Sequence, residues 1–393
     1  MNFDNVKKHM DRIISDYNTP GAECIVYKNH EMLFRYCVGK SDIENNRPTT
    51  SDDLYLIFSM TKMLTCTCAL QLFEKGLFSL SDPISKYLPE YEKMKVSDTA
   101  LNTSNAAAIA SGTASGENSD ASGDGYAKNP ITIKHLFTMT AGLDYDLNAP
   151  GIKASIAEGK TSTRDLVRAM SKTVLGFEPG TRYRYSLCHD VIGGLVEVLS
   201  GKTLGEYMEE NIFRPLGMKN TFFGLPTDSE RLSRMAALYR FNQDREPERI
   251  ELLCPYTLTN DYHSGGAGLT SCTEDYALFL DALACGGVGK NGARILSPAT
   301  VELMGTNHLS GQPLADFFNM RPGYGYGLGV RTHINKAESG SLSPIGEFGW
   351  DGAAGSFSMV DPKNALSITY FQHAHAWDIN AHIQLRNAVY SCF

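Results

Sequence analysis

Apolar positions change their spacing along this chain, and the spacings predict its elements. Val6, Met10, Ile13, Ile14 and Tyr17 stand three or four apart among charged neighbours, the pattern of an amphipathic helix. Ala22 to Tyr27 and Met32 to Val38 are β-branched and aromatic runs around the polar turn Lys28-Asn29-His30, which predicts a hairpin. Residues 60–75 predict a helix closed by Gly76, and Ser81-Asp82-Pro83 opens another short one. Helical patterns then dominate from Ile131 to about Leu283, in ITIKHLFTMTAGL, TRDLVRAMSKTV, DVIGGLVEVLSG and TEDYALFLDALACGG. The last third turns strand-like in YGYGLGVRTH, GSFSMVDP and ALSITYFQH, and INAHIQLRNAVYSCF closes as a helix. Strands at both ends with helices between predict an α+β fold: one antiparallel sheet built from the two chain ends and flanked by helices, plus an all-helical subdomain. We expect a single domain over 1–393. Its α/β region covers about 1–58 and 320–393, and its mainly helical region about 59–319.

Residues 97–128 break the pattern. They are rich in Ala, Ser, Gly, Asn and Asp, with little to bury, and read as a low-complexity surface insertion. Asp120-x-Ser122-x-Asp124-Gly125 imitates the start of a calcium loop, but its twelfth position is Ile131 where a Glu is needed. With 393 residues, 42% of them hydrophobic, the chain can bury a large core. Its formal net charge of -8, with no Lys/Arg-rich run, argues against nucleic acid or an anionic membrane as a partner. No run approaches the roughly 18 apolar residues of a membrane span, and the first residues carry no leader pattern, so a cytoplasmic place is expected. The nine cysteines are scattered through apolar segments and read as buried free thiols; Cys66-x-Cys68 is not a metal or redox spacing.

Three segments could carry chemistry. Ser59-x-x-Lys62 opens a helix, so the amine can reach the serine oxygen on the same face, and the serine lies among the free N–H groups of the first turn. A serine needs a neighbouring base, and a lysine in a dry pocket can lose its proton and become one. The same four residues also suit a plain serine cap followed by a solvent lysine. Tyr185-Ser186 lies between a Pro-Gly turn and a new helix, where a hydroxyl can enter a cleft; beside an ammonium its phenolate would be favoured. Phe348 to Ser356 is Gly-rich, which lets a second backbone or a substrate approach, and the N–H of Ala353 could pair with that of Ser59 around an oxyanion.

The three together, in this order, resemble the serine β-lactamase and penicillin-binding-protein superfamily. The resemblance is strongest to the branch of class C β-lactamases, D-alanyl-D-alanine carboxypeptidases and family VIII esterases. It extends to LIFSMTKMLTCTCALQLFEKGLFSLSDPISKYLPEY, IFRPLGMKNTFF and SGGAGLTSCTEDYALFL, and so to most of the chain outside 97–128. It implies a β-lactamase/transpeptidase-like fold with the site between sheet and helices. Ser59 would be the acylated nucleophile, Lys62 its partner and Tyr185 the base or proton shuttle, with no cofactor and no metal. Two departures bear on the substrate. Where the antibiotic-resistance enzymes have Lys-Thr-Gly, this chain has Trp350-Asp351-Gly352, and the family's Tyr-x-Asn reads Tyr185-Ser186-Leu187. Leu187, Trp350, Asp351 and Gly352 are therefore the expected substrate-binding residues, suited to a neutral acyl group. The expected activity is carboxylesterase-like, on small neutral esters. A β-lactamase or D-amino-acid peptidase acting on an amide would need Arg331 or Lys336 to replace the strand lysine. A ligand-binding scaffold would have no need of all three reactive residues. Weaker features are His373-x-His375, Trp377 and the Tyr324/Tyr326 pair, which read as packing or loop residues, and Gly265-Gly266-Ala267-Gly268, which by the resemblance is a cleft-side or structural loop.

Overall fold

The computed structural model describes residues 1–97 and 125–393, so residues 98–124 of the expected insertion lie outside the described residues. An eight-stranded antiparallel sheet runs in the order Tyr324–Tyr326, Arg331–His333, Phe348–Gly349, Phe357–Asp361, Leu366–Gln372, Gly21–Lys28, Glu31–Asp42, Arg47–Pro48. The two chain ends meet at its centre, where Ala22 faces Gln372 and Lys28 faces Leu366. The hairpin turn is tighter than the sequence suggests. Asn29 and His30 both take the left-handed conformation, with φ 50° and 65°, as a two-residue turn requires. Asp281 holds it there: its carboxylate accepts from the His30 backbone N–H at 3.2 Å and lies 2.7 Å from His30 Nδ1.

Alternation along the central strands sets which helix covers which face. Cys24, Val26, Ile368 and Tyr370 pack with Val6, Met10 and Ile13 of helix Asp4–Tyr17 and with Leu385 and Val389 of helix Ile379–Tyr390. Ile25 and Tyr27 point the other way, onto Ala277 of helix Thr273–Ala284. That helix thus packs on the sheet, although it lies inside the span 59–319 expected as mainly helical. The same span holds short strands: Leu269–Ser271 pairs with Tyr55–Leu56 and Phe222–Phe223, and Tyr239–Phe241 pairs with Pro247–Arg249 and Ala374–His375. Runs of two or three residues carry no alternation to read.

The rest of that span forms the larger core around helix Thr61–Glu74, which is buried from Thr61 to Leu72 and packs on helix Cys188–Ser200. The nine cysteines are free thiols, and Cys66 and Cys68 are core residues. Ser81-Asp82-Pro83 leads into a 3₁₀ turn, Ile84–Lys86. Among the described residues no helix is long and apolar enough to cross a membrane.

A buried ionic cluster locks the sheet where it reaches the helical core. Arg331, 1% exposed, donates to Glu347 at 3.2 Å, Asp351 at 3.3 Å and the Ser358 carbonyl at 3.0 Å. Arg386 adds an ion pair to Glu347 at 3.8 Å, and Arg321 binds the other Asp351 oxygen at 2.7 Å. Removing one member strands buried charge. Glu347→Ala, which leaves Arg331 and Arg386 without their shared carboxylate, is expected to cost about 3–5 kcal/mol. Urea unfolding of the variant against the parent protein checks this.

Candidate active site

The sequence places Ser59 through a strained step. Phe58 is buried with φ 46°, a left-handed backbone that a bulky residue adopts only when its surroundings enforce it. Here the ring is held by Tyr256, His373 and His375 at centroid distances of 6.0, 6.3 and 5.2 Å. The step turns the chain from strand Tyr55–Leu56 into the 3₁₀ turn Phe58–Met60, and Ser59 emerges at the head of helix Thr61–Glu74. One turn later Lys62 points back along the same face.

Lys62 has no exposed surface. Its Nζ has three neighbours: the Gly266 carbonyl at 2.7 Å, the Tyr145 hydroxyl at 3.3 Å and Ser59 Oγ at 3.3 Å. A neutral amine has two N–H groups and one lone pair. The carbonyl and the Tyr145 oxygen can take the two hydrogens, which leaves the lone pair facing the serine. Burial brings the Lys62 pKa down to about 7, against the opposing pull of Asp190 and, less, of Cys66 and Cys188.

Tyr185 donates its hydroxyl hydrogen to Ser59 Oγ at 2.7 Å and accepts from Trp350 Nε1 at 3.4 Å. Burial raises the Tyr185 pKa, and the hydrogen bonds from its neighbours only partly offset this. The expected phenolate is therefore disfavoured, and the proton sits on the tyrosine while the lysine gives its proton up. Tyr145, Tyr185 and Trp350 form one near-parallel stack, with centroids 5.5 and 5.6 Å apart. Tyr256 closes its Tyr145 end edge-on, and Tyr326 closes its Trp350 end.

The Gly-rich strand end runs beside the segment that carries Ser59. A Cβ on Gly352 would lie 2.8 Å from the Ile57 carbonyl, two residues before Ser59, so only glycine permits this approach. Ala353 follows, half-buried, with its carbonyl 3.2 Å from His375 Nδ1. The other expected binding residues divide. Trp350 meets Tyr185, as described. The Asp351 side chain turns away from the cleft into the arginine cluster; burial would raise its pKa, but Arg321 and Arg331 outweigh that and hold it at about 2. Leu187, 4% exposed, packs in the helical core and does not line an open cleft. Arg331 is consumed by Glu347 and Asp351, and Lys336 donates to the Leu342 carbonyl, so neither replaces the strand lysine.

Tyr145 and the Gly266 carbonyl also belong to the site, with Asp190 beside them; the resemblance implied a cleft-side or structural loop at 265–268, but the sequence reading named neither Tyr145, Asp190 nor a role for that carbonyl. Asp190 had a signal, a carboxylate inside the apolar helix CHDVIGGLVEVLS. Tyr145 and a backbone carbonyl had none. The other features are packing residues: His373 and His375 face backbone carbonyls and are buried, Trp377 stacks on His382, and Tyr326 is a core residue. His30, Asp281 and Cys285 come together under the hairpin turn, where the carboxylate is already used by His30.

With this geometry in hand, the chain can be set beside known proteins. The Beta-lactamase family model matches residues 4–386. An uncharacterised protein of Mycobacterium tuberculosis is 28% identical over 97% of this chain and 92% of its own length. Esterase EstB of Burkholderia gladioli is 26% identical over 97% and 93%. Among solved structures, EstCE1, described as a hydrolase with promiscuous acyltransferase activity, superposes with a TM-score of 0.78. It covers 98% of both chains at 24% identity, which shows a common fold.

One backbone position tests the arrangement. A Cβ on Gly266 would meet Asp190 Oδ2 at 2.5 Å and Tyr145 at 3.3 Å, so it would displace the carbonyl that holds Lys62. Gly266→Ala is expected to keep the fold, seen by circular dichroism, and to lower hydrolase turnover by about 100-fold, the scale for displaced catalytic groups.

Proposed function

The chain belongs to the beta-lactamase family and is a serine hydrolase of that family, and from this premise we propose that it cleaves small neutral esters through an acyl-enzyme on Ser59. The observation that carries the reading is the environment of Lys62: a fully buried amine 3.3 Å from Ser59 Oγ, where burial brings its pKa down to about 7. Lys62 takes the Ser59 proton as the oxygen attacks the ester carbonyl. The backbone N–H groups of Ser59 and Ala353 receive the oxyanion. Tyr185, protonated and 2.7 Å from Ser59 Oγ, hands its proton to the leaving alkoxide and regains one from Lys62. Water then enters by the same path and hydrolyses the acyl-enzyme.

Neutral esters suit the cleft better than carboxylate-bearing amides. The strand cation of the antibiotic-resistance enzymes is replaced by the Trp350 ring, and the Asp351 carboxylate is already neutralised behind it. The likeness to an enzyme named esterase supports the same choice. Nine unpaired thiols fit a cytosolic place of action.

A p-nitrophenyl series from acetate to octanoate, run with nitrocefin, tests this. Strong ester turnover, lost in Ser59→Ala, with little nitrocefin cleavage, is the expected result; comparable nitrocefin turnover would contradict the ester preference. Tyr185→Phe should lower kcat by about 10²–10⁴-fold, the usual share of a proton-transfer group. The base must be deprotonated to act, so kcat/KM should fall tenfold per pH unit below about 7 and flatten above it. A flat profile between pH 5 and 8 would exclude Lys62 as the base.

A further inference from the structure

Asp190 lies next to the site yet touches neither Ser59 nor the space in front of it. It is 1% exposed, on the first turn of helix Cys188–Ser200. Its Oδ1 accepts three hydrogen bonds: from Tyr262 at 2.6 Å, Ser264 at 2.8 Å and the Gly266 N–H at 3.3 Å. Its Oδ2, equally buried, has no hydrogen-bond partner among the described residues. An asparagine would make all three of those bonds through its one carbonyl oxygen. What the carboxylate adds is charge, and burying a charge is costly unless something nearby uses it.

The user is one residue away. Gly266, whose N–H binds Asp190, offers its carbonyl to Lys62. The other titratable groups facing Lys62 are held neutral by burial. Cys66, on its own helix, and Tyr145 and Tyr185, across the cleft, are pushed upward, Cys188 to about 12, and His189 goes down to about 3. That leaves the Asp190 carboxylate, joined to the amine through the Gly266 peptide, as the charge whose pull is the largest one keeping a proton on Lys62.

We propose that Asp190 is the fixed counter-charge for the Lys62 ammonium that forms when Ser59 is deprotonated, a positioning residue that acts through the lysine and never meets substrate. In the resting enzyme it keeps the amine basic enough to accept the serine proton. During acylation the proton moves from Ser59 Oγ to Lys62 Nζ, and the new cation stands opposite a carboxylate already in place, so no solvent has to reorganise. The proposal rests on the reading of Lys62 as the base.

The test is the pH profile of p-nitrophenyl acetate hydrolysis. Asp190→Asn keeps the three hydrogen bonds and removes the charge. The acid limb of kcat/KM should move down by about one pH unit or more, because the amine loses its proton more easily. The plateau kcat should fall about 10–100-fold, because a weaker base does less at its best pH, while KM changes little. Tyr262→Phe strips one donor from the carboxylate and leaves its charge more concentrated, so its limb should move upward. A role for Asp190 in holding the loop alone would lower activity without moving the limb, and an unmoved limb in a folded Asp190→Asn overturns the proposal. Should that variant fail to fold, Tyr262→Phe decides it: no upward shift overturns it. A parent protein with no acid limb near pH 7, or a Ser59→Ala variant that stays active, would instead overturn the Lys62 reading beneath it.

Discussion

The structure turns on one buried amine. Taking Lys62 out of water favours its neutral form, and in the proposed mechanism that form is the base for Ser59. The sign of the cost follows from linkage. The unfolded chain holds the Lys62 proton up to about pH 10.5 and the folded chain only to about 7. Stability therefore rises with pH across that window and is reduced below it, by on the order of 5 kcal/mol. Helix Thr61–Glu74, which carries Lys62, is itself buried in the larger apolar core.

The surroundings are arranged to keep that amine dry and aimed. The Tyr145–Tyr185–Trp350 stack walls it off, and both tyrosine rings lie within cation–π range of Nζ, at 5.3 and 4.6 Å, so its charged form also has neighbours suited to it. Glycine at 265 and 266 lets the loop press against helix Cys188–Ser200 closely enough for a carbonyl to reach the lysine. On the sheet side, the Arg321, Arg331, Glu347, Asp351 and Arg386 cluster fixes the strand end that carries Trp350 and Gly352. Burial thus keeps Tyr185 protonated, as a tyrosine is in neutral water, and favours loss of the proton that a solvent lysine would keep.

Much of this was legible in the sequence, for identifiable reasons. The central strands and the helices on them are long enough to show their periods, so the sheet built from both chain ends was readable. Ser59, Lys62 and Tyr185 sit at element junctions with fixed spacing, and they do converge within hydrogen-bond reach. The short strands in the middle of the chain and the Thr273–Ala284 helix turned toward the sheet could not be read, because tertiary contacts alone place them. Leu187 and Asp351 were expected in the cleft because neighbours in sequence were; local backbone direction sends one into the core and the other into the arginines. Tyr145 and the Gly266 carbonyl are brought in by loops of no regular pattern, and a backbone oxygen has no sequence signature.

The central claim is that the buried Lys62 amine gives up its proton near neutral pH, well below an ordinary lysine. Carbon-13 at the lysine ε position, with the Lys62 resonance assigned by its loss in Lys62→Arg, allows its titration to be followed directly by NMR. The account predicts a titration midpoint near 7, well separated from the other lysines. A midpoint above about 9, in the ordinary lysine range, would contradict it, and the base for Ser59 would have to be sought elsewhere.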